Sequence, residues 1–170
     1  MPIYINTNIA RIETGFIMTN SDFITSEHAV RNNRAKKPDE IGMSWMVDMT
    51  KQYFNGKAAI QKARENNENK FVFVALEIDG KEPADGAIIY HNKDLEVGII
   101  TAATWSPTAK KSIALATLKL PYGQKIKSNL WVEIYALREL EYFKMMKKAF
   151  IVKAPFVRLS RRNLTPPLRK

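Results

Sequence analysis

Cysteine is absent from this 170-residue sequence, which excludes disulfides, thiolate nucleophiles and cysteine-ligated zinc or iron–sulfur centres. Histidine is nearly absent: His28 and His91 are the two imidazoles, too few for a multi-histidine metal centre. The seven glycines are scattered. Neither G-x-G-x-x-G nor G-x-x-x-x-G-K-[ST] occurs, so no glycine-rich phosphate cradle is encoded. The G-x-S-x-G nucleophile elbow and the H-E-x-x-H zinc motif are missing as well. No apolar run reaches the roughly 18 residues of a membrane-spanning helix. The opening stretch, MPIYINTNIARIETGF, has no charged region leading into an apolar core, so it does not read as a signal peptide. The expected setting is soluble and cytoplasmic, with no membrane partner.

What is present is ordinary globular stock: 45% hydrophobic, 26% charged and 10% aromatic residues. A chain of this length is about one domain and can bury roughly 70% of its unfolded surface without a staple. The net charge of +10 is unevenly placed. From residue 137 onward ten Lys and Arg face only Glu139 and Glu141, whereas the preceding residues are nearly neutral. The charge therefore marks a basic tail, residues 158–170, rather than a basic fold. Arg158, Arg161 and Arg162 around Ser160, with Phe156 nearby, would suit nucleic acid. No recognition helix or RNA-binding signature accompanies them, so nucleic acid is not the expected partner.

Periodicity divides the chain into a helical or irregular front (1–68) and a β-rich remainder (69–157). Ile9 and Ile12 fall on one helical face over 6–14, with Gly15 placed to end the helix. Thr25 to His28 can start a short helical turn, and Pro38 to Met43 reads as a short helix with acids in its first turn. Residues 57–68 form the clearest helix, on an Ala59, Ile60, Ala63 stripe. Strands are expected at 71–78, 86–90, 97–102, 113–118, 130–135 and 149–152. Six short strands separated by turn residues read as a small closed barrel or a sandwich. Residues 136–148 fit either a helix stripe or two strand ends around a bend.

No residue pattern specifies catalysis, and no catalytic or metal-ligating residue is assigned. His28 beside Glu27 reads as a solvated histidine and His91 as a turn residue. Asp48, Asp79, Asp85 and Asp94 sit where turns or strand ends belong. Trp131 suits barrel core or rim, and Trp45 could cover the junction of helices and barrel. Trp105 lies in what reads as a loop, Thr101 to Pro107, where its ring could wall a ligand or plug the barrel end.

Several segments, taken in order, are similar to the C-terminal part of the aminomethyltransferase family, which comprises the T-protein of the glycine cleavage system and related folate-dependent transferases and demethylases. They are Ala10-Arg-Ile-Glu-Thr-Gly15, Pro38 to Trp45 running on to Asp48, and Tyr53-Phe-Asn-Gly-Lys57 with Ala58 and Ala59. Val97 to Pro107, Ile113-Ala-Leu-Ala116 and Pro155-Phe-Val157 complete the set.

The resemblance implies an α+β, mainly β fold: short N-terminal helices, then a closed antiparallel β-barrel of about six strands. It implies folate-linked one-carbon transfer with tetrahydrofolate as cofactor. The family carries its catalytic aspartate and its pterin-binding glutamate ahead of the region matched here, so the chain alone is expected neither to bind folate nor to turn over. The family's arginine and aspartate before the helix-end motif become Thr7 and Asn8, and its serine-glycine pair becomes Ala102-Ala103. The expected partner is a separate folate-binding chain, or a second copy of this one. Trp105 and Ser106 are the candidate substrate-facing residues, and Glu13 would tie the helix end to its neighbour. The structural alternatives are a barrel cap for Trp105 and an N–H-satisfying turn for Ser106. Outside the family, the rival reading is a non-catalytic binding module whose basic tail contacts an acidic partner or nucleic acid.

Overall fold

A computed structural model describes residues 2–31, 34–124 and 129–158. The basic tail expected at 158–170 lies, beyond Arg158, outside the described residues. Helix α1 (Pro2–Thr14) opens the chain, a 3-10 turn follows at Ser44–Met46, and α2 (Lys57–Glu65) precedes the barrel. Six strands follow: β1 (Phe71–Ile78), β2 (Ile88–His91), β3 (Leu95–Ser106), β4 (Lys111–Lys119), β5 (Leu130–Arg138) and β6 (Glu141–Val152). They close in the order β1-β4-β3-β2-β5-β6, with every pairing antiparallel. The architecture is the expected one, mainly β, with a closed six-stranded antiparallel barrel behind short helices.

Strand alternation explains the barrel interior. In β1, Val74, Leu76 and Ile78 turn inward to meet Ala114, Ala116 and Leu118 of β4 and Val132 and Ile134 of β5. Strand β4 breaks the usual half-buried pattern, because Ile113 and Leu115 on its outer face are buried too. Helix α1 covers that face. Ile12 is fully buried against Ala75, Ala102, Ile113 and Leu115, and Phe73, Val152 and Phe156 pack around them. Burying one such isoleucine stabilises the docked helix by about 1.5–3 kcal/mol. Small residues at Ala75 and Ala102 let the helix approach the sheet closely.

Ambiguous and misread segments have local causes. Residues 136–148 are two strand ends around a bend, with Glu139 (φ 48°) and Leu140 (φ 71°) forming the turn whose left-handed residues match strand twist. His91 is the last residue of β2; the turn itself is made by Asn92 and Lys93, both at positive φ. Helix α2 stops at Glu65 rather than 68, and Asn67 leaves it in a left-handed conformation. Residues 38–43 form turns, not a helix. Gly42 turns left-handed at φ 73°, and the Met43 N–H closes onto the Pro38 carbonyl at 2.8 Å. The buried Glu40 carboxylate is engaged elsewhere, accepting N–H bonds from Lys37, Lys70 and Phe71. Trp45 is 78% exposed on the 3-10 turn, so it does not cover the helix–barrel junction. Trp131 sits at the rim, with its indole N–H donated to Asn129 and the Lys93 ammonium 3.9 Å from its ring centre.

Candidate functional site

Helix α1 is held to the barrel by polar contacts as well as by Ile12. The Arg11 guanidinium donates to Asn8 Oδ1 (3.0 Å), the Phe16 carbonyl (3.1 Å) and Asp22 Oδ2 (2.5 Å). Asp22 has a fully buried side chain and Arg11 one that is only 12% exposed. The Met18 N–H also donates to Asp22 Oδ2 (2.8 Å), and the Thr101 hydroxyl donates to Oδ1 (2.7 Å). Thr101 is the extra residue of a bulge on the face that meets Asp22: Ile100 pairs with Ala116 and Ala102 with Leu115. A buried carboxylate is tolerated when an opposite charge and hydrogen bonds replace its hydration, and Asp22 has all of these.

Two more carboxylates complete the seam. Ser106 is fully buried and donates its hydroxyl to Glu13 Oε1 at 2.5 Å, while its oxygen accepts the Ala109 N–H at 2.9 Å. Glu13 thus ties the helix end to β3. Asp85, in the loop before β2, accepts the Ala103 N–H at 2.6 Å. A cleft of about 400 Å³ opens between α1 and β3, lined by Thr7, Asn8, Arg11, Asp85, Thr101 and Ala102 among others.

Trp105 belongs to strand β3, where it pairs with Ser112, and not to a loop. Its ring faces a separate groove of about 400 Å³ with Glu77, Asp79, Lys81, Lys111 and Phe150. The Lys81 ammonium stands 5.0 Å from the indole centre, and Lys111 bonds Glu77 at 2.6 Å. The structure therefore separates the two residues singled out from the sequence: Trp105 lines this groove, whereas Ser106 is enclosed beneath Glu13. Asp22, the most enclosed carboxylate of the α1 seam, carries no sequence signal beyond a lone acid in a polar stretch. His28 is a surface residue, its Nδ1 3.1 Å from the Thr25 hydroxyl. Among the described residues no three His, Asp or Glu side chains converge as a metal site, and no helix is long and apolar enough to cross a membrane.

These features define a barrel module whose helix clasp shapes a cleft with one carboxylate, Asp85, that already accepts a backbone N–H. Residues 71–158 match the glycine cleavage T-protein C-terminal barrel domain. The chain belongs to that family. The aminomethyltransferase of Thermotoga neapolitana is 32% identical over 157 residues, a match covering 92% of this chain and 37% of that protein. The Thermotoga maritima aminomethyltransferase is 34% identical over 156 residues, again covering 37% of its length. The crystal structure of glycine cleavage system aminomethyltransferase T from Bartonella henselae shares the fold, with a TM-score of 0.71 at 18% identity over 88% of this chain. This chain spans little more than a third of the length of these relatives.

Thr7, Asn8 and Ala102 line the α1–β3 cleft. A pterin presents parallel N–H donors that call for a carboxylate with both oxygens open. Asp85 is the carboxylate among the residues lining the cleft, and its Oδ1 already holds the Ala103 N–H. The cleft residues therefore do not by themselves fit a pterin.

Proposed function

We propose that this chain is the barrel part of a split folate-dependent one-carbon transferase or demethylase, and that a separate folate-binding chain supplies the catalytic and pterin-binding groups. The observation that carries this reading is the family match over the whole barrel, joined to a cleft between α1 and β3. In this arrangement α1 and β3 present a rigid wall. The Arg11–Asp22–Thr101 contacts fix its shape, and Glu13–Ser106 fixes the pitch of the helix. Tetrahydrofolate belongs to the assembled pair and not to this chain. Trp105, on its own groove, is the residue of this half best placed to meet a substrate or the partner from outside the cleft.

The test is native isolation of the chain from its own cells, with mass, bound folate and methylenetetrahydrofolate formation measured on the product. A heteromeric complex that turns over, and a free chain that does not, is the expected result. A chain that is monomeric in cells, or that forms methylenetetrahydrofolate alone from a homogeneous preparation, overturns the reading.

A further inference from the structure

The loop leaving α1 builds a second concave surface on the side of Asp22 away from the cleft. Its two arms pair with each other, Ile24 bridging Ala35, with the Lys36 N–H bonded to the Ile24 carbonyl at 3.2 Å. The loop stands as a wall over β3 and β4. Its floor is the outer face of the β3–β4 pair, where Ile99 lies opposite Thr117. The open groove measures about 660 Å³, within the roughly 300–1,000 Å³ range of small-ligand sites.

Its chemistry is two-sided. Phe23, Ile24, Ile99 and Phe71 supply apolar surface. Ile99 and Ile24 leave 47% and 36% of their area to solvent, which a monomer gains nothing by exposing. Cations stand around that surface: Arg34, Lys36 and Lys119. Lys119 is matched by Glu96 at 3.7 Å. Among the described residues neither Arg34 nor Lys36 makes a salt bridge within 4 Å, although the Glu40 carboxylate is near enough to Lys36 to favour its charged form. The Lys36 ammonium instead rests 3.3 Å from the Phe71 ring centre, and burial holds its pKa below the ordinary lysine value. Asp22 at the base of the groove is already neutralised by Arg11. An apolar trough with Arg34 and Lys36 beside it is complementary to a molecule that is apolar along its body and anionic at one end.

We propose that this groove binds a small amphipathic anion, an alkyl or aryl body with one terminal carboxylate or phosphate, its body on Phe23, Ile24 and Ile99 and its anion at Arg34 and Lys36. The site is independent of the split-enzyme reading, since it uses neither the α1–β3 cleft nor a partner chain.

The probe is 1-anilinonaphthalene-8-sulfonate, titrated into the purified 170-residue chain at low salt and then displaced by octanoate, octyl phosphate or octan-1-ol. One saturable site is expected, with displacement by both anions and at least ten-fold weaker displacement by the alcohol. The better of the two anions identifies the head group. Arg34→Gln and Lys36→Gln should each weaken binding by about ten-fold, the scale of a lost charge-assisted hydrogen bond. Lys81→Gln, in the Trp105 groove, should leave it unchanged. Near-UV circular dichroism confirms that each variant is folded, and amide shifts at Ile24 and residues 98–101 locate the probe. Equal displacement by octan-1-ol, unchanged affinity in the Arg34 and Lys36 variants, non-saturating binding, or shifts confined to the exposed β5–β6 hairpin would each overturn the proposal.

Discussion

Replacing Asp22 by alanine removes the centre of the contact that joins α1, the following loop and β3. The side chain is fully buried and accepts three hydrogen bonds, from Arg11, Met18 and Thr101. Its loss strands a guanidinium that is only 12% exposed, together with a backbone N–H and a hydroxyl. Breaking a buried pair from one side costs about 3–5 kcal/mol, because the surviving charge keeps its desolvation penalty. For a chain of this size each kcal/mol lowers Tm by about 2–4 °C, so Asp22→Ala should melt about 10 °C or more below the parent. Urea unfolding followed by far-UV circular dichroism and by tryptophan fluorescence measures the cost. The double variant Arg11→Met with Asp22→Leu should recover much of it, since an apolar replacement leaves no charge behind. A Tm within 2 °C of the parent for Asp22→Ala, or a double variant no better than the single, would refute the assignment of the pair as the clasp.

Further outcomes test the rest of the frame. Glu40→Ala should cost about 2 kcal/mol in urea unfolding, because the N–H groups of Lys70 and Phe71 at the entry to β1 lose their acceptor. Gly98→Ala should cost about 1–3 kcal/mol, since the new methyl meets the Thr117 carbonyl, a backbone atom with no rotamer to escape into. Asp39 accepts two bonds from Arg64, at 2.8 and 2.7 Å, which hold its carboxyl pKa below the ordinary value. A depressed folded-state pKa stabilises above the unfolded value of about 3.9 and is lost as pH falls through the folded one. The stability gap between parent and Asp39→Asn should therefore be constant from pH 7 to 5 and shrink below pH 4, as chemical denaturation across pH will show.

Much of the barrel is legible because strands announce themselves locally. Phe71–Ile78 is a β-rich apolar run between Asn69-Lys70 and Asp79-Gly80, and the structure begins and ends β1 at those residues. The Trp105 error shows where such signals fail. Thr101 to Pro107 reads as loop, yet β3 runs on to Ser106 because Trp105 and Ser106 find partners in Ser112 and Lys111 across the sheet. The segment from Pro38 has every mark of a helix start, but Glu40 bonds the entry of β1, some 30 residues away, and Gly42 turns the chain. A strong local signal lost to a distant hydrogen bond.

The sequence by itself determined the strand count, the helical front, the family and the asymmetric charge, since each rests on neighbouring residues or on motif order. Only the tertiary structure decided which carboxylates are buried and where the cleft lies. Thr101 meets Asp22 across 79 residues and Ser106 meets Glu13 across 93, contacts that no local pattern encodes. Burial of a charge depends on what the rest of the chain brings to it. That is why Asp22, unremarked in the sequence, holds the helix to the barrel, while the adjacent pair Trp105 and Ser106 ends up lining a groove and filling the seam.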